Sequence, residues 1–160
     1  KQSKNKSSLQ SRYRLMWMNA VYEPGEVKVV AYDETGKATA EKIIRTAGKP
    51  YRIELNPDRD ILAADKKDLA YINVRVVDKD GNLCPKDGHL VKFSVKGSGN
   101  YRAAANGDPT CLRPFHLPEM NLFSGQLTAI VQSGEDAGDI IFEAKAAGLK
   151  AQKIVIKTQK

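Results

Sequence analysis

Residues 68–96, DLAYINVRVVDKDGNLCPKDGHLVKFSVK, contain two runs in which apolar and polar side chains alternate. The alternating apolar positions are Ile72, Val74 and Val76 in the first run, and Val91, Phe93 and Val95 in the second. Because successive side chains of a strand point to opposite faces, each run predicts a strand with one face on a core. The segment 78–82, DKDGN, separates the runs and has the composition of a turn, with Gly81 free to adopt a positive φ. Two half-buried strands around a polar turn predict a β-sandwich.

The same pattern continues through residues 51–160. Turn sequences recur about every ten residues and separate short alternating runs, whereas no segment has the period of an amphipathic helix. We therefore predict an all-β chain whose residues 51–160 form an immunoglobulin-like β-sandwich of seven strands. We expect Phe115, Leu117 and Met120, in the proline-containing segment 110–121, to be covered by this sandwich.

Residues 12–48 predict a smaller β unit. Alternation begins near Arg12 and recurs around Val27–Ala31 and over 38–46, which indicates three strands. Three strands form a sheet but not a closed sandwich, so we interpret this segment as a partial β-sandwich, the C-terminal strands of a small accessory domain. Its exposed edge needs a partner, and a homodimer through this unit is one solution. Residues 1–11, KQSKNKSSLQS, are polar, basic and aperiodic, and they predict a flexible arm.

The charge of the 160 residues is unevenly distributed. The formal net charge is +7, but the first 14 residues contain five basic side chains and no acidic one. The remaining residues are almost balanced, which is typical of a solvated surface, and we predict no nucleic-acid partner. No run approaches the roughly 18 apolar residues of a membrane span. Because the sequence starts at Lys1 without an initiator Met, we expect it to be a piece of a longer protein.

Two sets of residues carry a family resemblance. DLAYINVRVVDKDGNLCP and LVKFSVKGSG resemble bacterial immunoglobulin-like modules of the invasin type. A longer order of segments is more specific, and over about residues 12–158 it is similar to the C-terminal region of glycoside hydrolase family 2 enzymes. It consists of residues 13–50, YRLMWMNAVYEPGEVKVVAYDETGKATAEKIIRTAGKP, then an immunoglobulin-like module, then residues 106–133, NGDPTCLRPFHLPEMNLFSGQLTAIVQS. The similarity is to β-galactosidase-like enzymes of Bacteroides-type gut bacteria.

The resemblance implies an accessory role. The parent enzyme would hydrolyse terminal β-galactosides or related β-glycosides in the periplasm or at the cell surface. A retaining glycosidase needs two carboxylates about 5–5.5 Å apart, and in this family both are glutamates on a (β/α)8 barrel that nothing here resembles. We therefore expect no catalytic residue, no cofactor, and partners that are the barrel and other β domains of the parent. The alternatives are a carbohydrate-binding module and an adhesin-like spacer at the cell surface.

Three residues are candidate ligand contacts. Asn106 and Asp108 lie on a glycine-containing turn, where an amide and a carboxylate can bind sugar hydroxyls or else brace the loop. Trp17 can stack on a sugar ring, although a single Trp in a sandwich more often packs in a core or between domains. In both cases turn chemistry or packing is the favoured interpretation.

No metal site is predicted. Asp78, Asp80 and Asn82 do not match a calcium loop, because placing Gly81 sixth puts Val76 first. His89 and His116 combined with Cys84 and Cys111 match no zinc spacing, and we favour unpaired cysteines.

Overall fold

A computed structural model describes residues 1–160 and contains strands, turns and irregular segments without a helix. The all-β prediction is therefore confirmed. Internal contacts divide the chain into two compact units. We call Lys1–Thr46 the N-terminal unit and Ala47–Lys160 the sandwich unit. The structure has no helix with the length and apolarity needed to cross a membrane.

Eleven strands make up the fold. They are β1 Glu26–Tyr32, β2 Ala38–Arg45, β3 Arg52–Pro57, β4 Ile61–Ala63, β5 Leu69–Val77, β6 Leu90–Gly97, β7 Gly99–Ala105, β8 Glu119–Asn121, β9 Gln126–Ser133, β10 Gly138–Lys145 and β11 Gln152–Gln159.

The N-terminal unit contains one antiparallel hairpin of β1 and β2. The Asp33 carboxylate closes its turn by accepting hydrogen bonds from the backbone N–H groups of Thr35 and Lys37, and Gly36 has a φ of 84°. An ion pair of 2.8 Å joins Glu26 to Arg45 directly across the ladder. The turn chemistry and the cross-strand pairs thus fix the register of this hairpin.

The predicted strand near Arg12 is not formed, so the three-stranded unit expected over residues 12–48 contains two strands. Tyr13–Met18 alternates in sequence, but no neighbouring strand offers it backbone partners, and a turn follows at Met18–Asn19. Alternation alone does not make a strand without such a ladder. Many apolar side chains of this unit are exposed, namely Tyr13, Met16, Met18, Val21, Tyr22, Val27, Val29, Tyr32 and Ile44.

The sandwich unit consists of two sheets. One has the order β3-β5-β9-β7, and the other has the order β4-β11-β10-β6-β8. All neighbours are antiparallel except β4 and β11, which run parallel. The unit therefore has nine strands rather than the seven predicted, the additions including the three-residue edge strands β4 and β8. The predicted immunoglobulin-like sandwich fits this two-sheet arrangement.

Apolar side chains from alternate positions of both sheets form the core. Phe93 packs in this core between two other rings, 5.6 Å from that of Phe142 and 5.8 Å from that of Tyr101. The alternating residues singled out in the sequence face inward, and those of β5 are fully buried. Met120 is also buried and Leu117 is partly buried, but Phe115 is 58% exposed, so its predicted cover by the sandwich is wrong.

The segment 78–82 forms the predicted turn. Asp78 donates its N–H to the carbonyl of Asn82, and Gly81 has a φ of 84°. However, the strands on either side do not pair with each other, because β5 belongs to the four-stranded sheet and β6 to the five-stranded sheet. The chain therefore crosses from one layer to the other after this turn.

Candidate functional site

The loop that carries Asn106 and Asp108 is braced by its own polar groups. Asn106 Oδ1 accepts the N–H of Asp108, and Asn106 Nδ2 donates to the carbonyl of Asn121 at 3.0 Å. Asp108 Oδ1 accepts from both the hydroxyl and the N–H of Thr110, at 2.7 and 2.9 Å. The Thr110 bonds lower the pKa of the Asp108 carboxyl. These contacts are those of a loop brace, and the sugar-binding role of the two residues stays a prediction.

Trp17 belongs to the N-terminal unit, whereas Asn106 and Asp108 belong to the sandwich unit. Its side chain is partly buried, and the Lys4 ammonium lies 5.8 Å from the ring centroid. A cation over an indole face is a favourable contact, but it occupies a face on which a sugar would stack. A sugar-binding role for Trp17 also stays a prediction.

The segment from Asn106 to Pro118 is fastened to the edge strand β7. Tyr101 donates its hydroxyl to the carbonyl of Leu117 at 2.7 Å, and Ala104 donates its N–H to the carbonyl of Phe115 at 2.8 Å. Burial raises the pKa of the Tyr101 phenol to about 12, so this hydroxyl keeps its proton and remains a donor. Arg113, within the segment, forms an ion pair of 2.5 Å with Glu119 at the start of β8. The loop is thus held at both ends.

This fastened loop presents two large apolar side chains to solvent. Leu112 is 95% exposed and Phe115 is 58% exposed. Three prolines, at 109, 114 and 118, limit the conformations of the loop. These two side chains are therefore available for contact with a neighbouring surface. We call Leu112 and Phe115 the apolar loop pair. The sequence pattern predicts a covered Phe115 and nothing for Leu112, although an apolar residue between two prolines and outside any alternating run indicates an exposed loop.

Asp78 fastens the start of the sandwich unit. Its side chain is buried, and Oδ2 accepts the N–H of Gly48 at 2.7 Å, while Oδ1 accepts the N–H groups of Asp80 and Asn82. The Gly48 bond is the largest of the causes that lower the pKa of the carboxyl to about 2. Tyr51 continues the attachment by donating its N–H to the carbonyl of Val77.

The residues next to the unit boundary are anchored within their own units. Within the N-terminal unit, Thr46 donates its N–H to the carbonyl of Gly25 at 2.8 Å, and its hydroxyl accepts the Gly25 N–H at 3.0 Å. Within the sandwich unit, Gly48 is held by Asp78.

The histidines and cysteines do not converge on one site. His89 Nδ1 lies 2.8 Å from an oxygen of the buried Asp87 carboxylate, and His116 is exposed on the loop. Cys84 is buried beside the carbonyl of Gly48, Cys111 packs against Met120, and both thiols are free. No group of three His, Cys, Asp or Glu side chains is arranged to hold a metal ion.

Comparison with known proteins places these features in a family. The model of "Glycoside hydrolase family 2 C-terminal domain 5" matches residues 53–155, and a domain of unknown function, DUF4982, matches residues 1–40. A β-galactosidase of Bacteroides ovatus, BoGH2A, is 41% identical over 138 residues, and a β-glucuronidase of Formosa agariphila is 28% identical over 156 residues. These matches cover 86% and 95% of this chain but 16% and 15% of the relatives. The chain thus spans about one sixth of their length.

Solved structures agree with the sequence relatives. A glycosyl hydrolase family 2 member from Bacteroides cellulosilyticus superposes with a TM-score of 0.82 at 30% identity, over 88% of this chain and 18% of that one. A β-glycosidase from Bacteroides vulgatus gives a TM-score of 0.81 at 25% identity, over 85% and 18%.

The family 2 resemblance, inferred over about residues 12–158, is thereby confirmed, while its invasin-type component stays a prediction. Since the first family model covers more than half of the residues, the chain belongs to the glycoside hydrolase family 2 C-terminal domain 5 family.

Proposed function

We propose that this chain is a non-catalytic accessory region of a family 2 glycoside hydrolase of the β-galactosidase type, and that it acts in assembly of the enzyme. The observation that carries the proposal is the apolar loop pair. Leu112 and Phe115 stand exposed on a loop that is fastened at both ends, in a chain that corresponds to about one sixth of its relatives. Such a surface stabilises an enzyme by packing on a neighbouring domain.

The partners in this proposal are the catalytic barrel and the other β domains of the parent enzyme. The exposed apolar residues of the β1–β2 hairpin supply a second contact surface, which fits either such a domain or a second copy of the chain. The parent acts in the periplasm or at the cell surface, and its substrate class is a terminal β-galactoside or a related β-glycoside.

The test has two parts. The purified chain should not hydrolyse nitrophenyl β-galactoside, and hydrolysis by it would contradict the non-catalytic role. In the complete gene product, Leu112→Ser with Phe115→Ser should lower the temperature at which glycosidase activity is lost. The isolated chain carrying the same changes should unfold as the unchanged chain does, because exposed substitutions alter stability by no more than about 0.5 kcal/mol. If the two substitutions together leave the temperature of activity loss unchanged, the assembly role of this loop is contradicted.

A further inference from the structure

Asn106 is the one asparagine of the chain that is followed by a glycine, and each of the other seven precedes a residue with a side chain. It lies directly after β7, at the start of the loop that presents the apolar loop pair. The backbone nitrogen of a following glycine is the residue type least hindered for attack on an asparagine amide, because no Cβ stands beside it. The sequence therefore puts a reactive pair, Asn106 and Gly107, at one end of this loop.

The Gly107 nitrogen is accessible in the structure. Gly107 is exposed, and outside its two neighbours no atom lies within 4 Å of the position that a Cβ would take. Its N–H forms no hydrogen bond within the chain. Solvent hydroxide can thus reach this N–H and remove its proton, and no other group competes for the nitrogen.

The loop also activates the Asn106 amide toward attack. Asp108 donates its N–H to Asn106 Oδ1 at 3.0 Å. This bond turns the Asn106 side chain back along the residues that follow it, over the Gly107 peptide. When a nucleophile adds to the amide carbon Cγ, negative charge develops on Oδ1, and an N–H donor that is already in place stabilises such charge.

We propose that Asn106 is a site of spontaneous deamidation in the folded chain. The Gly107 nitrogen bonds to Asn106 Cγ, the Cγ–Nδ2 bond breaks, and Nδ2 leaves as ammonia with the proton of the Gly107 N–H. Water then opens the five-membered succinimide. Opening at Cγ gives aspartate at this position, and opening at the backbone carbonyl gives isoaspartate, in which the main chain runs through the former side chain.

This reaction removes one fastening of the loop. Asn106 Nδ2 donates to the carbonyl of Asn121 at 3.0 Å, whereas an ionised carboxylate at this position has no hydrogen to donate. Two oxygens then face each other and repel. Isoaspartate also adds a methylene to the main chain, which displaces the loop relative to β7. The deamidated loop therefore holds Leu112 and Phe115 less firmly. The effect on assembly rests on the proposed function, but the chemistry at Asn106 does not.

Isoelectric focusing and peptide mapping of the intact chain test the proposal. Incubation at mildly alkaline pH should produce a form with one more negative charge, at a rate that rises with hydroxide concentration. Isoaspartate should be found at position 106 and at none of the other seven asparagines. Asn106→Gln is the matched control and should keep its charge over the same period, because its longer side chain would have to close a six-membered ring. Gly107→Ala should slow the charge loss about tenfold by crowding the attacking nitrogen.

The effect on the loop has its own measurement. Asn106→Asp has the charge of the product from the start, so it should be cleaved within residues 106–118 severalfold faster than the fresh chain. The aged chain should be cleaved at least as fast as this variant.

Three results would overturn the proposal. The first is an amide at position 106 that persists in the folded chain while the urea-unfolded chain loses it, since the loop would then protect the amide. The second is equal charge loss by the unchanged chain and Asn106→Gln. The third, equal cleavage of the fresh and aged chains, would overturn the loosening of the loop. None of them bears on hydrolysis by the chain or on the Leu112 and Phe115 experiment, so failure here is distinguishable from failure of the accessory role.

Discussion

The carboxylate of Asp78 holds the backbone N–H of Gly48 at 2.7 Å, although the two residues are 30 positions apart in sequence. The bond ties the first residues of the sandwich unit to the turn that follows β5. Its charge, its burial and its three backbone donors make Asp78 a fixed point in the chain.

Removing this charge should loosen the start of the sandwich unit. We expect Asp78→Asn to lower the thermal unfolding midpoint and to increase amide hydrogen exchange at Gly48, because an amide oxygen is a weaker acceptor than a carboxylate. The matched control is Asp80→Asn in the same turn, since the Asp80 side chain accepts no hydrogen bond and is exposed. An equal effect of the two substitutions would contradict the role given to Asp78.

The same carboxylate gives stability a pH dependence. Its pKa is lowered to about 2 in the folded chain from a usual value of 3.8, so the unfolded chain binds the proton more readily. The stabilisation is therefore complete above about pH 4 and is lost as the pH falls from about 4 to 2. Urea unfolding at a series of pH values should show that the unchanged chain loses more stability in this range than Asp78→Asn does. If the unfolding free energies of the two chains change equally with pH, Asp78 is not the source of the pH dependence.

Gly97 should tolerate no side chain. Its φ is 90°, and a Cβ at this position would lie 2.0 Å from the carbonyl oxygen of Asp139 on β10. Gly148 has a φ of 73° but no atom within 4 Å of such a Cβ. Gly148→Ala should therefore cost only backbone strain, roughly 1 kcal/mol, and Gly97→Ala should cost clearly more. Chemical denaturation of both variants measures the difference, which is the steric contribution.

Substitution of two valines compares the inner face of the five-stranded sheet with its outer face. Val91 on β6 is fully buried, whereas Val155 on β11 is 48% exposed. Val91→Ala should lower the free energy of unfolding by about 2 kcal/mol, through lost burial and the cavity that remains. Val155→Ala should change it by no more than about 0.5 kcal/mol. Urea titrations monitored by circular dichroism measure the two losses of unfolding free energy, and equal losses would contradict this assignment of the two faces.

The hydrogen bond of the Tyr101 hydroxyl should stabilise the attachment of the loop to β7. Tyr101→Phe keeps the ring that packs on Phe93 but removes the donor to the carbonyl of Leu117. We expect a loss of about 1 kcal/mol in unfolding free energy and faster proteolysis within residues 106–118. Tyr71→Phe is the control, because the Tyr71 hydroxyl forms no bond within the chain and the side chain is 45% exposed. Unchanged proteolysis of the Tyr101 variant would show that the loop is held by other contacts.

Local structure can be predicted from the sequence, but the pairing of strands that are distant in sequence cannot. The alternation of β5 and β6 and the turn at Gly81 follow from side-chain period and backbone sterics, which act over a few residues. The sheet that each strand joins does not follow from them, because β5 and β6 pair with different neighbours. Residues Tyr13–Met18 alternate as a strand does but form none, because no neighbouring strand pairs with them.

In the candidate site, too, contacts between residues near in sequence are predictable and contacts between distant residues are not. The sequence predicts that Asn106 and Asp108 brace a turn, because these two side chains accept backbone N–H groups only two positions away. For Asp78 the sequence predicts only a turn, because the bond of its carboxylate to Gly48 depends on tertiary structure. The hydrophobicity of Phe115 predicts a buried ring, but the loop bonds to β7 through the Phe115 backbone and leaves the ring exposed.

The parallel pairing of β4 with β11 has a consequence for biosynthesis. Ile61 in β4 aligns with Lys157 in β11, so this edge of the five-stranded sheet joins segments that leave the ribosome far apart in time. Pairings of such long sequence separation slow folding and leave earlier strands uncovered while they wait. The nascent sandwich must therefore keep its first strands from aggregating until its last strand has been translated.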